Sequence, residues 1–304
     1  MDIVVIGAGA LGGYFGARFQ QAGANVSFLV REKRFSQIRK NGIHISSTQG
    51  DYKLQEPRLI LNTDEIETCD FVFLSVKGYH LSGTLDHVKA LVNKGAYVLP
   101  VLNGIEHIRV LQDFVGKSRV LGGLASIMAT LDEHGNVVHS SPFHDLFFGP
   151  MEQGQKAICL QLEKFLKDAN INSSFKEHIL REMWKKYMFI HAFSGVTAAV
   201  NLPIGPIKAQ QETFNLLEFL LQEIKRLANA HHVSVTEEDY EEVRGKILAL
   251  KDDATSSMHQ DRRKGNKLEL DHIHGGAVRL AADTGLTMPY TRAIYGIIKP
   301  FARG

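Results

Sequence analysis

A glycine cluster near the start of the chain has a spacing that is typical of a nucleotide-binding turn. Gly7, Gly9 and Gly12 are spaced as G-x-G-x-x-G. They follow the β-branched run Asp2–Ile6, which predicts a buried strand, and precede Leu11–Ala22, whose spacing predicts a helix. Such glycines permit a tight turn, a close approach to a pyrophosphate and close helix packing, and the helix N-terminus attracts phosphate. We therefore expect a dinucleotide site, with an ordinary turn as the alternative. The backbone expected to hold the phosphates comprises Gly7, Ala8, Gly9, Ala10, Leu11 and Gly12.

The residue after the second predicted strand, Val26–Val30, indicates which dinucleotide is bound. An acidic residue there usually holds the ribose 2′-hydroxyl of NAD, but this chain has Arg31. A planar guanidinium suits a 2′-phosphate. Glu32 could instead serve a ribose, and the basic residues nearby could form a solvated loop. The sequence favours NADP over NAD.

Polar residues follow two further predicted strands. Lys77 comes directly after 71–76, and Asn103 comes directly after 97–102. In an open parallel sheet, ligands bind at the carboxyl ends of the strands, so both residues are expected in the cofactor crevice. The alternative is ordinary loop chemistry, since Asn-Gly is a common turn dipeptide.

One lysine lies on the apolar face of a predicted helix at 178–200. The stripe recurs at three- and four-residue steps and comprises Ile179, Met183, Lys186, Ile190 and Phe193. Lys185 falls on the polar side. Burial lowers the pKa of a lysine, which makes Lys186 a candidate proton donor near neutral pH. The alternative is a lysine at the edge of the stripe whose ammonium reaches solvent.

A further polar cluster lies in the predicted helix 257–284. Thr255, Ser256 and Ser257 supply capping hydroxyls, and Glu269 lies three turns later. Glu269 is a candidate partner of Lys186 or ligand of a substrate hydroxyl, and a surface charge is the alternative. His231-His232 and His272-x-His274 lack the spacing of a zinc helix, so we expect surface histidines and no metal.

The composition sets limits on partners and location. The 304 residues predict one large domain or two ordinary ones, and the net charge of +2 suggests no nucleic-acid partner. Cys69 and Cys159 lie far apart and predict free thiols in a reducing compartment. Glycines interrupt the apolar N-terminal run, which predicts neither a signal peptide nor a membrane span. A cytoplasmic protein without a membrane partner is expected.

Strands alternate with helices up to about residue 176, and only helices follow. The sequence therefore predicts an α/β N-terminal Rossmann domain at 1–176 and an all-α domain at 177–304. Other predicted helices span 80–92, 105–114, 155–169, 209–231 and 236–251. Other predicted strands span 120–129 and 172–176, with a hairpin formed by 137–139 and 146–148.

Taken together, these residues resemble the ketopantoate reductase (2-dehydropantoate 2-reductase) family over essentially the whole chain. The motifs that carry the resemblance are the G-A-G-A-L-G turn, Arg31, Ser75-Val-Lys77, Asn103-Gly104, the helix of Lys186, Ser256-Ser257-Met258-x-Gln260-Asp261 and Glu269-Leu-Asp271. The resemblance implies NADPH-dependent reduction of 2-dehydropantoate to (R)-pantoate, a step toward pantothenate and coenzyme A. A monomer or a homodimer is expected.

The resemblance also implies roles for the candidate residues. Lys186 would be the general acid, and Glu269 would bind the substrate hydroxyl and orient the lysine. Ser257 would contact the substrate near its carboxylate. Asn103 would contact both cofactor and substrate, and Lys77 would lie near the cofactor.

Two positions depart from the family pattern, which has asparagines four and eight residues after the lysine. Here these are Ile190, which cannot form a side-chain hydrogen bond, and Ser194, which is shorter but remains a candidate substrate ligand. The identity of the 2-keto acid is therefore open. One alternative is a D-2-hydroxyacid dehydrogenase acting on other branched 2-keto acids, and another is a non-enzymatic NADP-binding redox sensor.

Overall fold

A computed structural model describes residues 1–304, which divide into two compact units. The first contains Met1–Leu102 and Ile108–Ile179, and the second contains Asn103–His107 and Leu180–Gly304. No helix combines the length and the apolar character that crossing a membrane would need.

The first unit contains a sheet in which all neighbouring strands are parallel. Its strands, labelled in chain order, are β1 Asp2–Ile6, β2 Asn25–Leu29, β5 Arg58–Ile60, β6 Phe71–Leu74 and β7 Tyr97–Pro100. The order β5-β2-β1-β6-β7 reverses direction next to β1, which creates the switch point where doubly wound folds bind ligands. Pro100 lacks a backbone N–H, and it is tolerated because β7 is an edge strand.

A second, mixed sheet completes the first unit. Its strands are β3 Ile43–Ser47, β4 Tyr52–Leu54, β8 Gly122–Leu131, β9 Val137–Gly149 and β10 Asn172–Phe175. The predicted hairpin of 137–139 with 146–148 is wrong, because both segments belong to the single strand β9, which pairs antiparallel with β8. The apolar ends of β9 were interpreted as two separate strands, because the residues between them are mostly polar.

Five helices belong wholly or mainly to the first unit. They are α1 Ala10–Gln21, α2 Glu32–Asn41, α3 Leu85–Asn93, α4 Glu106–Val115 and α5 Lys156–Leu166. Helix α1 packs on strands of both sheets. Its buried Phe15 and Phe19 contact Phe73 of β6, with ring centroids 5.7 and 5.2 Å apart. This aromatic packing fixes the helix that begins at the glycine turn.

The second unit is helical. Its elements are α6 Ile179–Val200, α7 Ile204–Lys208, α8 Gln211–Ala230, α9 Glu237–Leu248, α10 Ser257–Arg263, a π turn Asp271–Gly275, α11 Gly276–Thr284 and α12 Pro289–Ile298. The single predicted helix 257–284 is wrong. It breaks after α10, where Gly265 has a φ of +66° and Asn266 bonds back to the carbonyl of Asp261. The prediction of an α/β Rossmann domain followed by a helical domain is confirmed.

Candidate active site

The glycine turn of the first unit is fixed by contacts with the residues that follow β6. Gly7 has a φ of +98°, and a β-carbon there would lie 2.8 Å from Cγ1 of Val76. The Ser75 hydroxyl donates a 3.0 Å hydrogen bond to the Gly7 carbonyl. A β-carbon on Gly12 would collide with that same carbonyl oxygen. The fold itself therefore requires glycine at positions 7 and 12.

Gly9 is different, because nothing in the protein requires it to be glycine. It is exposed, and no protein atom lies within 4 Å of the position that its β-carbon would take. It is the N-cap of α1 without a side-chain cap, and the first helical bond joins the Gly13 N–H to its carbonyl at 2.8 Å. The N–H groups of the first turn thus have no intrahelical partner. This bare helix end fits a phosphate group of a dinucleotide.

Two arginines beside the glycine turn have different environments. Arg31 is exposed and is the N-cap of α2, directly after the buried end of β2. Arg34 instead donates from Nε to the Ala8 carbonyl at 2.8 Å and from Nη1 to the Gly135 carbonyl at 2.9 Å. Arg34, one of the basic residues close behind Arg31, thus braces the glycine turn. Arg31 stays available to a ligand.

Lys77 lies where the sequence analysis placed it, at the carboxyl end of β6. It is exposed and precedes a short helical turn, Gly78–His80. The residue before it, Val76, is the one against which Gly7 packs. Lys77 is therefore a neighbour of the glycine turn along the sheet edge.

Lys186 and Lys185 are adjacent on α6 but have opposite surroundings. The Lys185 ammonium forms ion pairs with Glu242 at 2.6 Å and Asp239 at 3.5 Å. Burial lowers the pKa of Lys186 to about 8, an effect that the negative charge of Glu269 partly offsets. Lys186 therefore combines a positive charge at neutral pH with a proton that it can release.

Two acid–base groups accompany Lys186 in the second unit. Glu269 is 5% exposed and lies two residues before the π turn. His107 is fully buried, and neither of its ring nitrogens has a hydrogen-bond partner. Burial, followed by the proximity of His272 and Lys186, keeps the pKa of His107 well below its usual value. His107 is therefore neutral at pH 7.

The segment that holds Asn103 packs within the helical unit. The His272 imidazole forms a hydrogen bond to the Asn103 backbone. Gly104 has a φ of +85°, and a β-carbon there would lie 3.3 Å from the His272 ring. Arg279 forms a bidentate ion pair with Glu106, with distances of 2.8 and 2.7 Å. These contacts place Asn103 in the same unit as Lys186 and Glu269.

A tyrosine of α6 is bonded to the π turn. The Tyr187 hydroxyl donates to the Ile273 carbonyl at 2.5 Å and accepts a hydrogen bond from the backbone of Ala277. The Ile273 carbonyl also accepts a hydrogen bond from the Gly276 N–H, so Tyr187 ties α6 to the backbone where the π turn passes into α11. Because Tyr187 follows Lys186, the same helix turn that carries the lysine also shapes the segment after Glu269.

Replacing Tyr187 with phenylalanine is expected to lower the free energy of unfolding by about 1–3 kcal/mol, since two buried backbone groups lose a partner. Urea denaturation would measure the change. Tyr290→Phe is the matched control, because Tyr290 is partly exposed and its replacement is expected to change stability by less than about 0.5 kcal/mol. Equal effects of the two replacements would contradict this account.

Three serines lie on α6 or at the start of α10. Ser256 is the buried N-cap of α10, and its hydroxyl lies 2.8 Å from that of Thr197 on α6. Ser257 follows and is exposed. Ser194 donates its proton to the Ile190 carbonyl at 2.6 Å, so only its oxygen lone pairs remain for a substrate.

The histidines were the main omission of the sequence analysis. The expected surface position is wrong for His274, which is fully buried, and for His272, which is half-buried. His274 points back to α6, with Nε2 3.1 Å from the His191 carbonyl. The apolar residues on both sides of the His-x-His pair were the available signal for burial.

Both units match known protein families in sequence. The sequence model of the family described as ketopantoate reductase PanE/ApbA matches residues 3–153, and the model of its C-terminal domain matches residues 178–302. The Bacillus subtilis oxidoreductase YkpB, itself uncharacterized, is 32% identical over 99% of both chains. The 2-dehydropantoate 2-reductase of Streptococcus pyogenes is 24% identical, with 98% of this chain and 97% of that enzyme covered.

Solved structures give the same picture. The 2-dehydropantoate 2-reductase of Geobacter metallireducens superposes with a TM-score of 0.89 at 25% identity, with 99% of both chains covered. A D-mandelate dehydrogenase bound to NADH and anilino(oxo)acetate also superposes with a TM-score of 0.89, with 99% of this chain and 98% of that chain covered. Its sequence identity is 20%, so the similarity concerns the fold alone. Since the two sequence models together match most of the chain, this protein belongs to the ketopantoate reductase PanE/ApbA family of oxidoreductases.

Proposed function

We propose that this protein reduces 2-dehydropantoate to (R)-pantoate with NADPH, a step toward pantothenate and coenzyme A. The observation that carries the proposal is the pair formed by Lys186, with a pKa lowered to about 8, and the buried Glu269. A redox sensor needs no such pair. The 2-dehydropantoate 2-reductases among the relatives support the choice of substrate.

The dinucleotide would be held by the backbone of residues 7–12, with Arg31 at the 2′-phosphate. The reduced nicotinamide supplies the hydride to the ketone carbon. Gly9 leaves the first turn of α1 open to the pyrophosphate, and the exposed Arg31 at the N-terminus of α2 adds a positive charge. Lys77 would lie along the same crevice. Arg31 supports NADPH over NADH as the preferred donor.

The helical unit would supply the proton. Lys186 donates it to the ketone oxygen, and its charge stabilises the oxygen as negative charge develops there. Glu269 holds the lysine and accepts a hydrogen bond from the substrate hydroxyl. Asn103 and Ser257 would orient the 2-keto acid, with the oxygen of Ser194 as a further candidate ligand.

A second candidate function is the reduction of other branched or aromatic 2-keto acids to D-2-hydroxy acids, with NADPH or NADH. Ile190 favours this second function. It lies one helical turn from Lys186, at the position where the family pattern has an asparagine. The solved D-mandelate dehydrogenase with NADH has the same fold.

Steady-state kinetics of the purified protein test the proposal. We would follow nicotinamide absorbance with NADPH and, in parallel, NADH, against 2-dehydropantoate and a panel of branched and aromatic 2-keto acids. We expect the largest kcat/KM for 2-dehydropantoate with NADPH. A larger value for a panel member would favour the second candidate, and tight NADPH binding without any turnover would refute both.

A further inference from the structure

A five-residue segment, Asn103–His107, belongs to the helical unit although the residues before and after it belong to the first unit. It begins with Asn103, which in the proposed function contacts both cofactor and substrate. A short segment of this kind keeps its position only through contacts with the unit to which it belongs. The π turn Asp271–Gly275 and the start of α11 provide these contacts.

The segment is attached near both of its ends. At the first end, the His272 imidazole bonds to the Asn103 backbone, and Gly104 packs against the same ring. Near the other end, the Glu106 carboxylate accepts hydrogen bonds from Nε and Nη2 of Arg279 at 2.8 and 2.7 Å. Because Glu106 is only three residues from Asn103, this second attachment limits how far Asn103 can move.

The Arg279 guanidinium also contacts a second acidic residue. Nη1 lies 3.4 Å from one carboxylate oxygen of Asp271, and Nη2 donates to the Asp271 carbonyl at 3.0 Å. The other carboxylate oxygen of Asp271 accepts a 2.7 Å hydrogen bond from the Tyr295 hydroxyl of α12. Asp271 belongs to the Glu269-Leu-Asp271 motif but has no part in the proposed chemistry. Its contacts hold Arg279 in the orientation that meets Glu106.

The ion pair is important because Glu106 is largely buried. Its side chain is 12% exposed, and a β-carbon on Gly276 would lie 3.3 Å from its Oε2. Removing one partner of a buried ion pair leaves the other charge uncompensated. Without Arg279, Glu106 is expected to turn toward solvent and to displace the segment that carries Asn103. A displacement of about 1 Å in a group that positions the substrate can reduce the rate about 100-fold.

We propose that Arg279 is a positioning residue that acts through Glu106 to hold Asn103 where it meets the 2-keto acid. The inference rests on the proposed function and deepens it, because it assigns the chain Asp271–Arg279–Glu106 to the orientation of a substrate ligand. It gives Arg279 no contact with the substrate or the cofactor. The whole effect of Arg279 on the reaction passes through Asn103.

A double-mutant cycle tests this inference. It comprises the wild type, Arg279→Gln, Asn103→Ala and the variant with both changes, and it compares kcat/KM for 2-dehydropantoate with NADPH. Two residues that act through each other have non-additive effects, whereas a general loss of folded protein lowers activity by the same factor in either background.

We expect Arg279→Gln alone to lower kcat/KM about 10- to 100-fold, and Asn103→Ala to lower it at least as much. In the Asn103→Ala background, Arg279→Gln is expected to lower kcat/KM by less than about threefold, because the group that it positions is already absent.

Arg181→Gln is the matched control. Arg181 forms the same kind of bidentate ion pair with the buried Asp239 in the same unit, with both hydrogen bonds at 3.0 Å. Its replacement is expected to lower stability toward urea as Arg279→Gln does. It should leave kcat/KM within about threefold of wild type, because this pair does not hold Asn103.

Glu106→Gln covers the case in which Arg279→Gln does not fold. The amide has the shape of the carboxylate, and the Arg279 side chain is 45% exposed, so its charge stays hydrated. This variant enters the same cycle with Asn103→Ala, and we expect a smaller loss of kcat/KM with the same non-additivity.

Losses that multiply in the double variant would overturn the inference, as would wild-type kcat/KM in Arg279→Gln or an equal loss in Arg181→Gln. The wild-type protein tests the proposed function separately. If it does not reduce 2-dehydropantoate, the proposed function fails, and the inference fails with it. If it does and the losses multiply, only the inference fails.

Discussion

Lys186→Ala is expected to lower kcat for 2-dehydropantoate by about 100- to 10,000-fold, the range typical of losing a general acid. The variant should bind NADPH as wild type does, because the lysine belongs to the helical unit and the glycine turn belongs to the first unit. Steady-state kinetics and a fluorescence titration with NADPH would measure the two quantities.

Lys185→Ala is the matched control for this prediction. Lys185 is the preceding residue of the same helix, but its ammonium is paired with acidic side chains that include Glu242. Its removal is expected to leave kcat within about threefold of wild type, since its ammonium is paired with carboxylates of α9 and has no role in the proposed proton transfer. If the two variants lost activity equally, or if Lys186→Ala stayed active, the assignment of Lys186 as the acid would be wrong.

Gly9→Val is expected to weaken NADPH binding at least about 100-fold, because a branched side chain would stand where the backbone must meet the pyrophosphate. The fold should tolerate the change. Gly9 has a φ of −75° and a ψ of −158°, an extended conformation that valine also adopts, and no protein atom lies near its β-carbon position. Isothermal titration calorimetry would give the affinity, and thermal unfolding would give the stability.

The control is Gly154→Val, since Gly154 is another exposed glycine with open space around its β-carbon position and lies outside the glycine turn. It is expected to bind NADPH as wild type does. Wild-type affinity in Gly9→Val would show that the turn does not hold the dinucleotide.

Local spacing was sufficient to predict much of the fold. The β-branched run before Gly7 and the helical spacing after it predicted β1 and α1 closely, because a buried parallel strand and an amphipathic helix each have a distinct periodicity. Strand β9 could not be predicted as one element, because both of its ends pair with β8 on either side of a register shift, which is a tertiary effect.

The candidate site was only partly predictable. Lys186 stood out because a charge on an apolar stripe is visible in the sequence. The contributions of His272 and Tyr187 depend on contacts between α6 and a segment more than 80 residues later, as in the bond from Tyr187 to Ile273. The π turn itself has no local sequence signal, although the apolar residues around its histidines did indicate their burial.

The pH dependence of kcat/KM for 2-dehydropantoate with NADPH tests the central claim, proton donation by Lys186, most directly. A general acid must be protonated, and burial lowers the pKa of Lys186 from its usual 10.5 to about 8. We therefore predict a kcat/KM that is high below pH 8 and falls about tenfold per pH unit above it, as the free enzyme loses that proton. A kcat/KM that stayed constant up to pH 10, or that rose as the pH increased through 8, would contradict the account.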